Sequence, residues 1–278
     1  MNIVFYYPDY DPTTCGGTRD ALDILKATLE NEKNGHICSI YNAAEVSNQQ
    51  LFNCFDILVC VTSSKWLDLN KIKIPKILWN HCWDFVEGMD KKLGAFDMIM
   101  ALSPKHAAHL GTKHWCCGGI DTKVFYHTDM PKQKNLVLYC GGPYWWKGSK
   151  KIPEIKQNLE AAGYELECVW GVSHKELAEK FNKAQFVIIP SEIESFCLVS
   201  VQAQACGCIP IAHDVGGISE TLCEYNADSY LYDTDYVGTI NRLADYHLLC
   251  IGEHCIKNAE RFDINVVAKR FCEMMRYV

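Results

Sequence analysis

Short runs of consecutive apolar residues alternate along this chain with longer stretches in which apolar positions recur every three or four residues. In the first half, NIVFYY (2–7), HICSIY (36–41), DILVCVT (56–62), KILWN (76–80) and DMIMALS (97–103) read as strands. They are apolar on both faces, as buried parallel strands are. TRDALDILKATLENEKNG (18–35) reads as a helix with Ala21, Ile24, Leu25 and Leu29 on one face. A polar break with one proline, FYHTDMPKQKN, covers 125–135. The alternation then restarts with strands LVLYCGG (136–142), ELECVWG (165–171), FVIIPS (186–191), IPIAH (209–213) and SYLYD (229–233). Helices are expected around 150–161, 174–183, 196–206 and 235–250, and DINVVAKRFCEMMRYV (263–278) closes the chain as an amphipathic helix. The pattern predicts an α/β protein of two Rossmann-like lobes, 1–130 and 131–278, facing a central cleft. The last helix is free to pack back on the first lobe. Ligands in such folds lie outside the carboxyl ends of the strands.

Composition narrows the classes. The 278 residues are 49% hydrophobic and 22% charged, ordinary for a globular protein. No apolar run reaches the ~18 residues of a membrane span, and the opening MNIVFYYPDYD lacks the basic start of a signal peptide. A net charge of -7 argues against nucleic acid as a partner. One basic stretch, Lys65, Lys71, Lys73 and Lys76 beside Trp66 and Asp68, reads as a solvated edge and leaves a peripheral membrane or acceptor contact open. Sixteen cysteines include no Cys-x-x-Cys pair, and many sit within apolar runs. His106, His109, His114, Cys116 and Cys117 are the nearest approach to a metal cluster, with no second pair to bracket them. No metal is expected. Reduced thiols without an export signal point to the cytoplasm.

The richest chemistry lies in 191–217, SEIESFCLVSVQAQACGCIPIAHDVGG. A strand ends at Pro190-Ser191, and Glu194 and Ser195 read as the opening of a helix. Such a helix start offers free N–H groups to an anion. An acid in a first helical turn has a plain structural explanation in the helix dipole. It leaves unexplained the downstream Cys206-Gly207 and the Gly216-Gly217 pair at a strand end, where backbone can approach a ligand closely.

Residues 190–220 resemble the donor-binding signature of family-4 glycosyltransferases, retaining enzymes of the GT-B fold. The shared residues are Pro190, Ser191, Glu194, Phe196, Leu198, Ala203, Ala205, Cys206, Gly207, Gly216, Gly217 and Glu220, with Pro210 close to the signature's proline. The glycine turn and helix of 16–36, GGIDTKVF (118–125) and CGGPYWWKG (140–148) resemble three further segments of the family. The resemblance implies a nucleotide diphosphate sugar as co-substrate, no other cofactor, and a glycan, lipid or protein acceptor that the sequence does not name. By the same resemblance, Glu194 contacts the transferred sugar and stabilises charge at its anomeric carbon. Backbone at Ser195, Phe196, Cys197 and Leu198 binds sugar hydroxyls or phosphate, and Lys147 neutralises the diphosphate. Gly16 and Gly17 let the first helix approach the phosphate, and His81 lies beside the donor sugar.

Three departures from the family pattern stand out. The second acid of its E-x7-E motif is Gln202, a weaker acceptor for ribose hydroxyls than a carboxylate. The arginine of its G-R-x-x-x-x-K-G loop is Gly142, with Arg19 and Lys150 as candidates to replace it. The glycines flanking the motif's phenylalanine are Ser195 and Cys197. Two rival readings follow: a catalytically weak nucleotide-sugar binding protein, and a DNA-base glycosyltransferase of the same fold, which the net acidity disfavours. Asp9-Tyr10-Asp11 has the Asp-x-Asp form of GT-A metal sites but reads as loop acids after the first strand. The Gly-Gly and Lys-Gly pairs of 141–148 lack the Gly-Lys-Ser/Thr of a P-loop.

Overall fold

The computed structural model describes residues 1–11, 17–31, 34–223, 231–232, 235–244 and 248–278, and for Leu249 the backbone alone. Gly16, Glu32, Lys33, Ser229, Tyr230 and Asp233, which the sequence assigns to a glycine turn, a helix end and a strand, lie outside these residues. The chain divides into two compact units, Met1–Gly119 with Ile264–Val278, and Ile120–Asp263.

The first unit carries β1 (Asn2–Tyr6), α1 (Gly17–Leu29), β2 (Ile37–Tyr41), β3 (Ile57–Val61), β4 (Lys76–Trp79), β5 (Met98–Ala101), α2 (Pro104–Leu110) and β6 (His114–Trp115). Its sheet is parallel throughout, in the order β2-β1-β3-β4-β5-β6. All five residues of β3 are buried, which is why its sequence shows no polar alternation. The short strand β6 and helix α2 go beyond the sequence reading. Ser103 caps α2 by accepting from the His106 N–H at 3.2 Å, Pro104 starts it, and left-handed Gly111 ends it. The closing helix α8 (Ile264–Met275) belongs to this unit, with Phe271 packed on Phe5 at 5.9 Å and Trp79 at 5.4 Å.

The second unit carries β7 (Gln133–Tyr139), α3 (Ile152–Ala161), β8 (Glu165–Cys168), α4 (His174–Lys183), β9 (Ala184–Ile189), α5 (Leu198–Ala205), β10 (Ile209–His213), β11 (Leu231–Tyr232), α6 (Tyr236–Ala244) and α7 (Leu248–Ala259). Its parallel sheet runs β11-β10-β9-β7-β8 around a core that includes Val137, Phe186, Ile188, Ile209 and Ile211. Lys132 pins this unit from within. Its ammonium donates to the carbonyls of Phe181, Asn182 and Ala184 at the end of α4 and of Cys206 at the end of α5, at 3.0–3.2 Å. These are last-turn carbonyls that a helix cannot satisfy itself.

The unit boundary falls at 119/120, eleven residues before the polar break at 130/131. The reason is non-local. The Ile120 N–H donates to the Phe262 carbonyl at 2.9 Å, Thr122 Oγ1 donates to Asp263 Oδ2 at 2.5 Å, and buried Phe125 packs against Phe181. Residues 264–278 join the first unit, as the sequence reading left open for the closing helix. A second correction concerns 196–206. Helix α5 begins only at Leu198, because Cys197 has φ +89° and ψ 81°, outside helical space. Glu194 therefore lies in an irregular segment, and the helix-dipole explanation for it no longer applies.

Candidate active site

In the second unit the strand order reverses between β7 and β9, since the chain leaves β7 toward β8 on one side and returns to β9 on the other. Such a switch point opens a crevice beyond the carboxyl ends of the strands. The loop after β7 carries Lys147 and the loop after β9 carries Glu194. Lys147 Nζ lies 2.5 Å from Glu194 Oε1. The same carboxylate oxygen accepts from Ser191 Oγ at 2.9 Å. Glu194 keeps 7% of its side-chain exposure and Lys147 30%. Burial alone lowers the Lys147 pKa, but the Glu194 carboxylate outweighs it and holds the ammonium above the usual lysine value.

The two loops are tied to one another through backbone. The Glu192 N–H donates to the Trp146 carbonyl at 2.8 Å, and Tyr139 OH donates to the carbonyls of Gly142 (2.8 Å) and Lys147 (3.2 Å). Gly148 explains the glycine that follows the lysine. Its φ is +76°, and a Cβ there would sit 2.1 Å from the Pro190 carbonyl oxygen. Gly141 is constrained too, since its Cβ would meet the Tyr139 ring at 2.5–2.7 Å. On the far side, the Gly217 N–H donates to the Glu194 carbonyl at 3.0 Å, and His213 Nδ1 lies 3.0 Å from the Ser191 carbonyl. A recess of about 20 Å³ bounded by Lys147, Ser191, Glu194 and Cys197 lies beneath, with room for about one water.

Ser195, Phe196 and Cys197 are buried around this segment, with Phe196 edge-on to Phe262 at 5.3 Å. Leu198 starts α5, and Gln202, one helical turn on, is 7% exposed. Burial pushes the Cys197 thiol up to about 12, so it is a neutral packing group and not a nucleophile. Gly142, in place of the family's arginine, has φ +64° and lies against Tyr144 and Trp170. Arg19 is committed to Asp20 at 2.7 Å and Asp23 at 3.4 Å on its own helix in the first unit, so it does not stand free to replace that arginine.

His81 belongs to the first unit, just beyond β4, with its ring edge-on to Trp79 at 4.4 Å. Burial, helped by His106, pushes its pKa down to about 3, and its Nε2 is buried without a hydrogen-bond partner among the described residues. A neutral ring with one unspent nitrogen can exchange a hydrogen bond with a hydroxyl but cannot act as a cation. Asn80 clamps the turn that carries it, donating to the carbonyls of Cys82 at 2.7 Å and Asp84 at 3.3 Å. Sequence reasoning missed Asn80 because the clamp depends on where the turn folds. Gly17 is the first residue of α1, and Gly16 lies outside the described residues. Of the sequence's metal candidates, His106 binds the Leu102 N–H and Trp83 carbonyl, and His109 pairs with Asp84 at 2.7 Å.

Residues 124–261 match the family model described as Glycosyl transferases group 1. A D-inositol 3-phosphate glycosyltransferase of Catenulispora acidiphila is 31% identical over 147 residues, which is 49% of this chain and 34% of that protein. A lipopolysaccharide 1,2-N-acetylglucosaminetransferase of Salmonella typhimurium is 31% identical over 150 residues, 50% of this chain and 39% of that protein. This match thus spans little more than a third of each of these curated relatives. Among solved structures, HepE of Anabaena in complex with UDP superposes with a TM-score of 0.75 at 14% identity, covering 100% of both chains. No helix among the described residues is long and apolar enough to cross a membrane.

Proposed function

We propose, from the match of residues 124–261 to Glycosyl transferases group 1 and from the GT-B fold, that the chain transfers a sugar from a nucleotide diphosphate donor to an acceptor, with retention of configuration and without a metal. The observation that carries this reading is the Lys147–Glu194 contact at the β7/β9 switch point, inside the matched domain. One cation and one carboxylate, held side by side, suit the two charges that separate when a glycosidic bond to diphosphate breaks. Lys147 takes the negative charge of the departing diphosphate, and Glu194 faces the positive charge that grows at the anomeric carbon. The glycines before and after Lys147 bring backbone close enough to hold phosphate oxygens. Gln202 accepts from the donor ribose, and the neutral ring of His81 serves the sugar hydroxyls. UDP is the first nucleotide to test.

The experiment is a titration with UDP and a panel of UDP-sugars, followed by NMR of the released or transferred sugar. Binding, turnover in the presence of chelator and a product with the donor's anomeric configuration support the reading. A second reading, a nucleotide-sugar binding protein without turnover, draws on Gly142 and Gln202, which leave the site one cation and one carboxylate short of the family pattern. UDP-sugar binding with neither transfer nor hydrolysis would establish it.

A further inference from the structure

The first unit has a switch point of its own, between β1 and β3 in the order β2-β1-β3-β4. The loop that leaves β3 there, residues 62–68, holds two residues in the left-handed region, Thr62 at φ +66° and Trp66 at φ +74°. L-residues with bulky side chains avoid that region, and glycine occupies it without penalty. Trp66 is nevertheless 67% exposed, so packing of its side chain does not compensate for the conformation.

What fixes the loop is a brace of side chains from elsewhere in the unit. Tyr6 OH donates to the Lys65 carbonyl at 2.5 Å. Gln49 grips both sides of Trp66, donating to its carbonyl at 2.8 Å and accepting from the Asp68 N–H at 2.7 Å. Lys92 Nζ donates to the carbonyls of Ser64 and Leu67 at 3.4 and 3.2 Å, and the Ser64 N–H meets Met89 Sδ at 3.4 Å. The result is a braced backbone that presents an exposed indole beyond the carboxyl end of β3, the end of an α/β sheet at which ligands gather.

The surrounding lysines say what fits it. Lys71 pairs with Asp68, Lys73 Nζ donates to the Asn70 carbonyl, and Lys76 Nζ donates to the carbonyls of Ile72 and Ile74. With Lys71 offset by Asp68 and Lys76 by Asp97, Lys65 and Lys73 are left to supply charge, short of the roughly four to eight basic residues that mark an anionic-bilayer site. Lys65 holds its ammonium 5.0 Å from the centre of the Trp66 ring. A flat, exposed aromatic ring with one ammonium donor over it matches a pyranose, which has an apolar C–H face and a rim of hydroxyl acceptors.

We propose that Trp66 and Lys65 form a docking site for the pyranose ring of a glycan acceptor. The inference rests on the glycosyltransferase reading only for naming the ring as an acceptor; ring binding is read without turnover. The test is saturation-transfer NMR with methyl α-glucoside, methyl α-mannoside, methyl β-galactoside and N-acetylglucosamine, applied to the whole chain and to Trp66→Gly and Trp66→Phe. Saturation should reach the ring C–H protons of at least one sugar. It should fall about fivefold or more in Trp66→Gly, the loss of roughly 40 Å² of apolar contact, and persist in Trp66→Phe. Because glycine suits the left-handed backbone, Trp66→Gly should melt no lower than the parent chain. The proposal is overturned if no sugar receives saturation, if Trp66→Gly binds as the parent does, or if its melting temperature drops, which would make Trp66 a packing residue. Sedimentation with phosphatidylglycerol vesicles that depends on Trp66, without sugar binding, would overturn it in favour of a membrane contact. A UDP titration of the parent chain reads the donor site separately, so failure of either site is visible without the other.

Discussion

Lys147 Nζ stands 2.5 Å from Glu194 Oε1, joining the loop after β7 to the loop after β9 across the switch point of the second sheet. The pair makes Lys147 the first target. Lys147→Ala should weaken UDP binding by about 1.5–3 kcal/mol, the worth of a hydrogen bond to a charged group. Calorimetry that returns the parent affinity would take Lys147 out of the donor site. The raised Lys147 pKa adds an alkaline signature. Its stabilising contribution is complete below 10.5, the unfolded value, and is lost as pH rises through the higher folded value. Lys147→Met should remove that part of the alkaline loss in denaturant melts above pH 10.5.

Glu194→Gln separates catalysis from scaffolding. The amide still offers an oxygen to Ser191 and Lys147 but brings no charge, so folding stability should fall by no more than about 1.5–3 kcal/mol. Turnover should fall by about 10²–10³, the cost of losing a group aimed at transition-state charge. A variant with full turnover on a confirmed substrate would leave the site to the binding-protein reading. Gln202→Glu is the companion, since restoring the family's acid should tighten UDP binding if the ribose reaches Gln202.

Gly148→Ala asks whether the lysine loop can move. A methyl at this position meets the Pro190 carbonyl at 2.1 Å, and its φ of +76° disfavours any L-residue. The carbonyl belongs to the segment that carries Ser191 and Glu194, so relief of the clash must separate the two loops. We expect a loss of at least about 1–3 kcal/mol in stability, together with weaker UDP binding. Parent-like values for both would mean that the loops are not held against each other.

The fold class was legible because buried parallel strands such as Ile57–Val61 and Ala184–Ile189 are unbroken apolar runs. The residues that meet at the second switch point were legible as candidates through local spacing, Lys147-Gly148 and Ser191 to Glu194, and their contact was not. What escaped depends on distant partners. The start of α5 hides in the left-handed Cys197, and the unit boundary follows hydrogen bonds from Ile120 and Thr122 to residues some 140 positions away. The Trp66 loop owes its shape to Tyr6, Gln49 and Lys92. Its lysines read as an uncompensated charged strip because sequence does not show Lys76 paired with Asp97.

The remaining prediction concerns His81 and acid. Burial, with His106 adding to it, takes the His81 pKa from 6.5 down to about 3, and burial takes His106 from 6.5 to about 4 against the opposing pull of two carbonyls. Below pH 6.5 the unfolded chain accepts protons that these folded imidazoles refuse, so stability must fall with pH. The fall runs from 6.5 to about 4 for His106 and to about 3 for His81, and each group adds a slope of at most about 1.36 kcal/mol per pH unit. The interval from pH 6.5 to about 5 lies above the ordinary carboxylate range, so it reads the histidines most cleanly. His81→Gln should flatten the dependence there in urea melts followed across that interval. Its turnover should fall at pH 7, through the lost hydrogen bond to the sugar, while the shape of its pH–rate profile between 5 and 7 stays that of the parent. A parent profile with an inflection near 6.5 that vanishes in His81→Gln would mean that the ring titrates freely, and the neutral, buried role assigned to it would fail.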